Sequence, residues 1–162
     1  VVDSKQEVLE AVRSILSDLR AARLSSKRIA ISDADEIRDL AGSISSEVEE
    51  VAITPSATDL FGFDVGISSV QGAIAETGTL VLEADRERNR LISLVPPVHI
   101  AILDAAKIFL TLGETLTALF RDGKVSPAIT FISGPSRTAD IELTLAIGVH
   151  GPQELYVIVK RA

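Results

Sequence analysis

The residues best suited to chemistry lie in two short strings. The first is Glu76-Thr77-Gly78-Thr79. The second runs from Ser133 to Pro152 and holds Gly134, Ser136, Arg137, Thr138, Asp140, Glu142 and His150. At the end of a strand, Glu76 can act as a base or a nucleophile. The same four residues also read as a tight turn, with Gly78 supplying a positive φ and Thr79 entering a strand. In the second string Gly134 lets the backbone approach a ligand. Ser136 and Thr138 offer hydroxyls and amides, and Arg137 can grip a carboxylate or phosphate with two parallel hydrogen bonds. A helix starting near Arg137 would add its amino-terminal N–H groups, so the expected ligand is a small anion. The alternative is an ordinary strand-to-helix connection. His150, flanked by Gly148, Gly151 and Pro152, sits where a loop can present a side chain to a ligand, or where it simply shapes the turn.

Metal binding fits less well. Asp140 and Glu142 lack a positioned third ligand, and a salt bridge to Arg137 is the preferred role. His99 and His150 are too far apart for a zinc motif, so no metal site is expected. His99, in Val-His-Ile, reads as a buried, hydrogen-bonded histidine. Arg86, Arg88 and Arg90 alternate with Glu87 and Asn89, a pattern expected of a solvated turn.

Positioning these groups requires a scaffold, and periodicity outlines one. Asp3 to Leu19 predicts an amphipathic helix with capping-box spacing at Ser4 and Glu7 and a stripe of Val8, Val12, Ile15, Leu16 and Leu19. A second helix, capped by Ser32 or Asp33, has the stripe Ala34, Ile37, Leu40, Ala41 and Ile44. Thr111 and Glu114 open another helix through Leu112, Leu116, Leu119 and Phe120, with Gly123 near its end. Strands are expected at 27–31, 49–53, 63–69, 79–82, 98–103, 128–132 and 155–159. Helix–strand alternation with short connections predicts an α/β protein with a mainly parallel sheet. The segment between the last two strands is ambiguous. Ile141, Leu143, Leu145 and Ile147 alternate like a strand, whereas Ala139, Leu143 and Ile147 fit a helix, and a short helix from about Arg137 is the expectation. With no repeat, low-complexity tract or boundary, residues 1–162 read as a single domain.

Composition narrows the function classes. The chain has 162 residues, enough for one domain with a real core, and 46% are hydrophobic but only 4% aromatic. Val, Ile, Leu and Ala must therefore fill the interior. A net charge of -7 argues against binding nucleic acid, whose phosphates need clustered Lys and Arg. It argues equally against an anionic membrane surface. There is no cysteine, so this stretch cannot ligate an iron–sulfur cluster through thiolates or use a thiol nucleophile. Together with the lack of a signal-peptide pattern and of an 18-residue apolar run, this predicts a cytoplasmic protein without membrane insertion.

One set of strings carries a resemblance. Ala75-Glu76-Thr77-Gly78-Thr79-Leu80, Arg90 to Leu94 with Pro96-Pro97, His99-Ile100, Ser133 to Glu142 and Gly148 to Pro152 follow one another in that order. Together they resemble the lactate-utilisation protein C family, the LUD-domain proteins, over about Val65 to Val159. Of the arginine run, only Arg90 matches the family pattern. The resemblance implies a three-layer α/β/α sandwich like that of ribose-5-phosphate isomerases, glucosamine-phosphate deaminases and coenzyme A transferases. The last of these use a glutamate as nucleophile, the role open to Glu76. It also implies a part in oxidising L-lactate to pyruvate alongside two iron–sulfur partner proteins, with the clusters in the partners and no cofactor in this chain. A stand-alone enzyme acting on a sugar phosphate, acyl-CoA or hydroxy acid is the alternative. Glu76 and His150 are the candidate catalytic groups. Gly78, Thr79, Gly134, Ser136, Arg137, Thr138 and Asp140 are the candidate anion ligands. All of them are expected in one crevice at the carboxyl ends of the strands.

Overall fold

The computed structural model describes residues 1–87, 90–124, 126–139, 145–147 and 151–161. Five strands, β1 (Arg28–Ile31), β2 (Glu50–Ile53), β3 (Val65–Val70), β6 (Val98–Asp104) and β11 (Glu154–Lys160), form a central sheet in the order β11-β6-β3-β1-β2. Every pairing in it is parallel. From β1 the chain moves outward to β2, then returns to place β3 on the other side of β1. The strand order therefore reverses between β1 and β3, the position where open α/β sheets form a crevice.

Helices α1 (Lys5–Ala21) and α2 (Asp35–Ile44) cover one face. Ser4 caps α1 by accepting a hydrogen bond from the Glu7 N–H, while Glu7 accepts one from the Asp3 N–H at 2.9 Å. The predicted stripe is the buried one: Val8, Val12, Leu16 and Leu19 pack on Ile29, Ile31, Val65, Ile67, Ile100 and Ile158. Each fully buried side chain of this size is worth about 1.5–3 kcal/mol relative to exposure. The predicted cap of α2 is absent. Ala34 is its N-cap and no side chain caps it.

The other face is covered by a second, mixed sheet of β4 (Gly72–Ile74), β5 (Thr79–Glu83), β7 (Ile108–Phe109) and β8 (Ile129–Ile132), in the order β7-β4-β5-β8. Ala73, Leu80 and Leu82 meet Val70, Ala101 and Leu103 of the central sheet. Helix α4 (Leu112–Leu119) backs the small sheet, where buried Thr115 packs against Gly72. Its capping box is complete in both directions between Thr111 and Glu114, as the spacing predicts. The α/β class with a mainly parallel sheet thus stands, with the small sheet and α4 forming the layers opposite α1 and α2.

Two expectations need correction. No helix begins at Arg137. Residues Arg137–Ala139 are strand β9, paired antiparallel with β10 (Leu145–Ile147), with Arg137 opposite Ile147. Of the two periodicities in this segment, the twofold one prevailed, as suits β-branched Thr138 and Ile147. The expected solvated turn after Leu82 is instead a short helix, α3 (Ala84–Glu87), followed by a 3₁₀ turn at Arg90–Ser93. Both are anchored. Glu87 is only 1% exposed, and the carbonyl of Ile92 lies 2.0 Å from where a Cβ on Gly66 would stand.

Candidate functional site

The two chemistry-bearing strings meet. The hairpin between β4 and β5 turns at Ala75–Gly78, and Gly78 has φ +63°, as the turn reading requires. The antiparallel pairing of β5 with β8 sets Leu80 opposite Ile132 and so carries Thr79 to Ser133. Thr77 Oγ1 and Thr79 Oγ1 are 2.7 Å apart, and Thr79 Oγ1 and Ser133 Oγ are also 2.7 Å apart. Three hydroxyls thus form a chain, with Thr79 buried and Thr77 and Ser133 exposed. Gly134 follows with φ +112°. The Ser136 N–H donates to the Pro152 carbonyl at 2.8 Å, and the Ser136 side chain lies against Gly151. The strings around positions 76, 134 and 152 are therefore tied together through Thr79, Ser133 and Ser136.

Glu76 and Arg137 are both exposed. Thr138 lies in β9, and Asp140 and His150 fall outside the described residues. Because Arg137 opens a strand, the helix amino terminus expected at that position is not there to support an anion. The donors left are its guanidinium, the hydroxyls and the amides. The assembly also lies at the hairpin end remote from β3, since Gly72 pairs with Val81 at the base and Ile74 with Thr79 at the tip. The two strings adjoin at the tip of the small sheet, at a distance from the carboxyl ends of the parallel strands.

Those carboxyl ends hold a different constellation. Glu87 projects from α3 onto the end of β3. Its Oε1 accepts from Ser69 Oγ and from Gln71 Nε2, the latter at 3.1 Å. Gln71 Nε2 also donates to Ser69 Oγ at 2.9 Å, and its Oε1 accepts from the Glu83 N–H at 2.9 Å. The Ser32 hydroxyl, at the end of β1, faces the same carboxyl, although Oε2 makes no hydrogen bond of good geometry. Burial pushes the Glu87 carboxyl above its ordinary range, and hydrogen bonds from Ser69, Ser32 and Gln71 oppose the shift. Glu83 is also raised by burial, against the pull of Arg86, whose Nε is 3.2 Å from Glu83 Oε2. Away from those ends, near the start of β6, His99 Nε2 and Ser68 Oγ are 2.8 Å apart. His99 is fully buried, its Nδ1 has no partner, and burial lowers it to about 4, so the ring is neutral. This is the buried, hydrogen-bonded histidine the sequence predicts.

A buried carboxyl whose pKa is raised, standing at the reversal of strand order, is a group able to donate or accept a proton there. Sequence reasoning missed it because Glu87 stands in an arginine-rich charge run. The available signal was Ser68, Ser69 and Gln71, polar residues interrupting an apolar strand that must be buried and so must find partners. Among the described residues no group of three or more His, Asp or Glu could hold a metal ion, and no helix is long and apolar enough to cross a membrane.

A parallel sheet that reverses between β1 and β3, with helices on one face and a motif-bearing mixed sheet on the other, defines an open-sheet α/β protein with its polar groups at two stations. The chain belongs to the LUD domain family, whose model matches residues 1–159. It is 46% identical over 101 residues to lactate utilization protein C of an Exiguobacterium species, covering 59% of this chain and 44% of that protein. It is 40% identical to the protein of the same name from Macrococcus caseolyticus, with the same coverage. An uncharacterized protein of Neisseria meningitidis is 40% identical over 120 residues, covering 70% of this chain and 51% of that protein. The chain thus spans about half the length of the curated relatives it matches. A crystal structure of a DUF162 family protein from Deinococcus radiodurans shares the fold, with TM-score 0.53 and 24% identity over 94% of this chain and 98% of that one.

Proposed function

We propose that this chain serves lactate utilisation, as a component of a system that oxidises L-lactate to pyruvate with two iron–sulfur partner proteins. The clusters reside in the partners, since a stretch without cysteine offers no thiolate ligands. The observation that carries this reading is membership of the LUD domain family, with relatives named for lactate utilisation. The hydroxyl chain of Thr77, Thr79 and Ser133, with Arg137 four residues beyond Ser133 in β9, supplies donors suited to a small carboxylate. The test is deletion of the gene in a host with no second lactate oxidase. Growth on L-lactate should be lost, and lactate-dependent dye reduction in extracts should return when the chain is added back. Normal growth of the deletion strain would remove the assignment.

One observation favours the alternative of a stand-alone enzyme acting on an anionic substrate. Glu87 is a buried carboxyl of raised pKa at the strand reversal, an arrangement associated with proton transfer. Turnover of a hydroxy acid, sugar phosphate or acyl-CoA by the purified chain alone, lost in Glu87→Gln, would establish that reading.

A further inference from the structure

The face covered by α1 and α2 carries a groove that neither reading uses. Between the first turns of α1 and the body of α2 lies a cavity of about 470 Å³, within the size range of small-molecule sites. Its floor is apolar: Val8, Leu40 and Ile102, only 5%, 8% and 5% exposed. Its walls carry opposite charge. Asp35 and Asp39 stand on the α2 side, and Lys5 of α1 and Lys160 of β11 stand across from them. Lys5 and Asp39 reach each other at 3.4 Å, with side chains 75% and 78% exposed. Solvent screens such a pair, and a ligand displaces it at little cost. Asp35 and Lys160 make no ion pair among the described residues.

We propose that this groove binds a free α-amino acid with an aliphatic side chain. Its ammonium meets the Asp35 and Asp39 wall, its carboxylate meets Lys160 and Lys5, and its side chain lies on Val8, Leu40 and Ile102. Charge complementarity selects this class. A simple carboxylate would leave two aspartates facing an anion, and a simple amine would leave two lysines facing a cation. A ligand with both charges on one carbon and an apolar branch matches both walls and the floor. The groove lies on the opposite face of the central sheet from the small sheet, so the proposal does not depend on the lactate reading.

The test is titration of the whole 162-residue chain with L-leucine, followed by amide NMR and calorimetry. Four probes are compared: leucine, glycine, 4-methylpentanoate and 3-methylbutylamine. Leucine should bind saturably and shift the amides of Val8, Leu40 and Ile102. Each of the other probes should bind at least about tenfold more weakly, the scale of a lost charge-assisted hydrogen bond or side-chain burial. Lys160→Gln and Asp35→Asn should each weaken leucine about tenfold. Ser43→Phe, at an exposed helix position lining the groove, should block it with folding intact by circular dichroism. No saturable leucine binding overturns the proposal. So does 4-methylpentanoate or glycine matching leucine, or leucine binding unchanged in Ser43→Phe.

Discussion

The tip of the small sheet and the carboxyl end of β3 are built on opposite plans. At the tip, polar groups are numerous, exposed and carried by strings that stand out in the sequence: Glu76, Thr77, Ser133 and Arg137 all reach solvent. At the end of β3 the polar groups are few, buried and joined to one another, with Ser69, Gln71, Glu83 and Glu87 each no more than 6% exposed. The lesson is that a conspicuous motif and a perturbed environment need not coincide. An exposed carboxylate such as Glu76 is available to a ligand, while a buried one such as Glu87 acquires altered protonation without announcing itself by any string.

The largest effect is expected at Gly66, near the start of β3 and under the 3₁₀ turn Arg90–Ser93. A Cβ there meets the Ile92 carbonyl at 2.0 Å, so Gly66→Ala should cost about 3 kcal/mol or more, as severe overpacking does. Gly134→Ala at the tip has open space around it and only its φ of +112° to strain it, so it should cost less. Urea denaturation of both variants compares buried β3 with the exposed tip, and equal losses would erase the distinction.

Next in size is acid sensitivity from His99. Its folded-state value is depressed from 6.5 to about 4, so the native state binds fewer protons than the unfolded chain in that window. Its contribution is fully present above pH 6.5 and is lost as pH falls toward 4, amounting to about 3 kcal/mol. His99→Gln should flatten that part of the stability–pH curve, and an unchanged slope would show that the ring titrates normally.

Glu87 works in the opposite sense. Its folded-state value is raised, so its contribution is fully present below the ordinary carboxylate range and is lost as pH rises through the raised value. Glu87→Gln, which keeps a donor and an acceptor, should remove that loss and leave the variant relatively more stable at the alkaline end. Chemical denaturation between pH 5 and 8.5 measures it. A constant difference across the range would mean that the carboxyl is ionised throughout.

The smallest effect belongs to the tip. Thr79→Val removes the central hydroxyl of a chain whose outer members reach water, and should cost about 1 kcal/mol. If it costs as much as Gly66→Ala, the tip is structural in the way buried β3 is.

Much of the fold was legible because it rests on periodicity. The stripe of Val8, Val12, Leu16 and Leu19, the capping box at Thr111 and Glu114 and the apolar runs of β1, β3 and β6 each state their burial in sequence. The β9–β10 pair was not legible, because apolar residues two and four apart satisfy a strand and a helix at once, and only tertiary pairing decides. The meeting of Thr79 with Ser133 depends on the β5–β8 register, which sequence order does not reveal. Glu87 was hidden for a different reason. Its neighbours Arg86 and Asp85 face solvent, and a charge run does not disclose which of its members turns inward.

The position of β11 has a consequence for how the molecule forms. In the central sheet this strand pairs with β6, Glu154 against Val98 through Lys160 against Asp104, and Val2 forms a parallel bridge to its Lys160. The whole of β7, α4 and β8 intervenes in the chain. The sheet's edge therefore closes by a long-range search, whereas β1 finds β2 across a single helix. Such non-local parallel pairings are slow, and until they form the neighbouring strand presents an open edge. Until β11 pairs with it, β6 keeps one row of amides and carbonyls without strand partners.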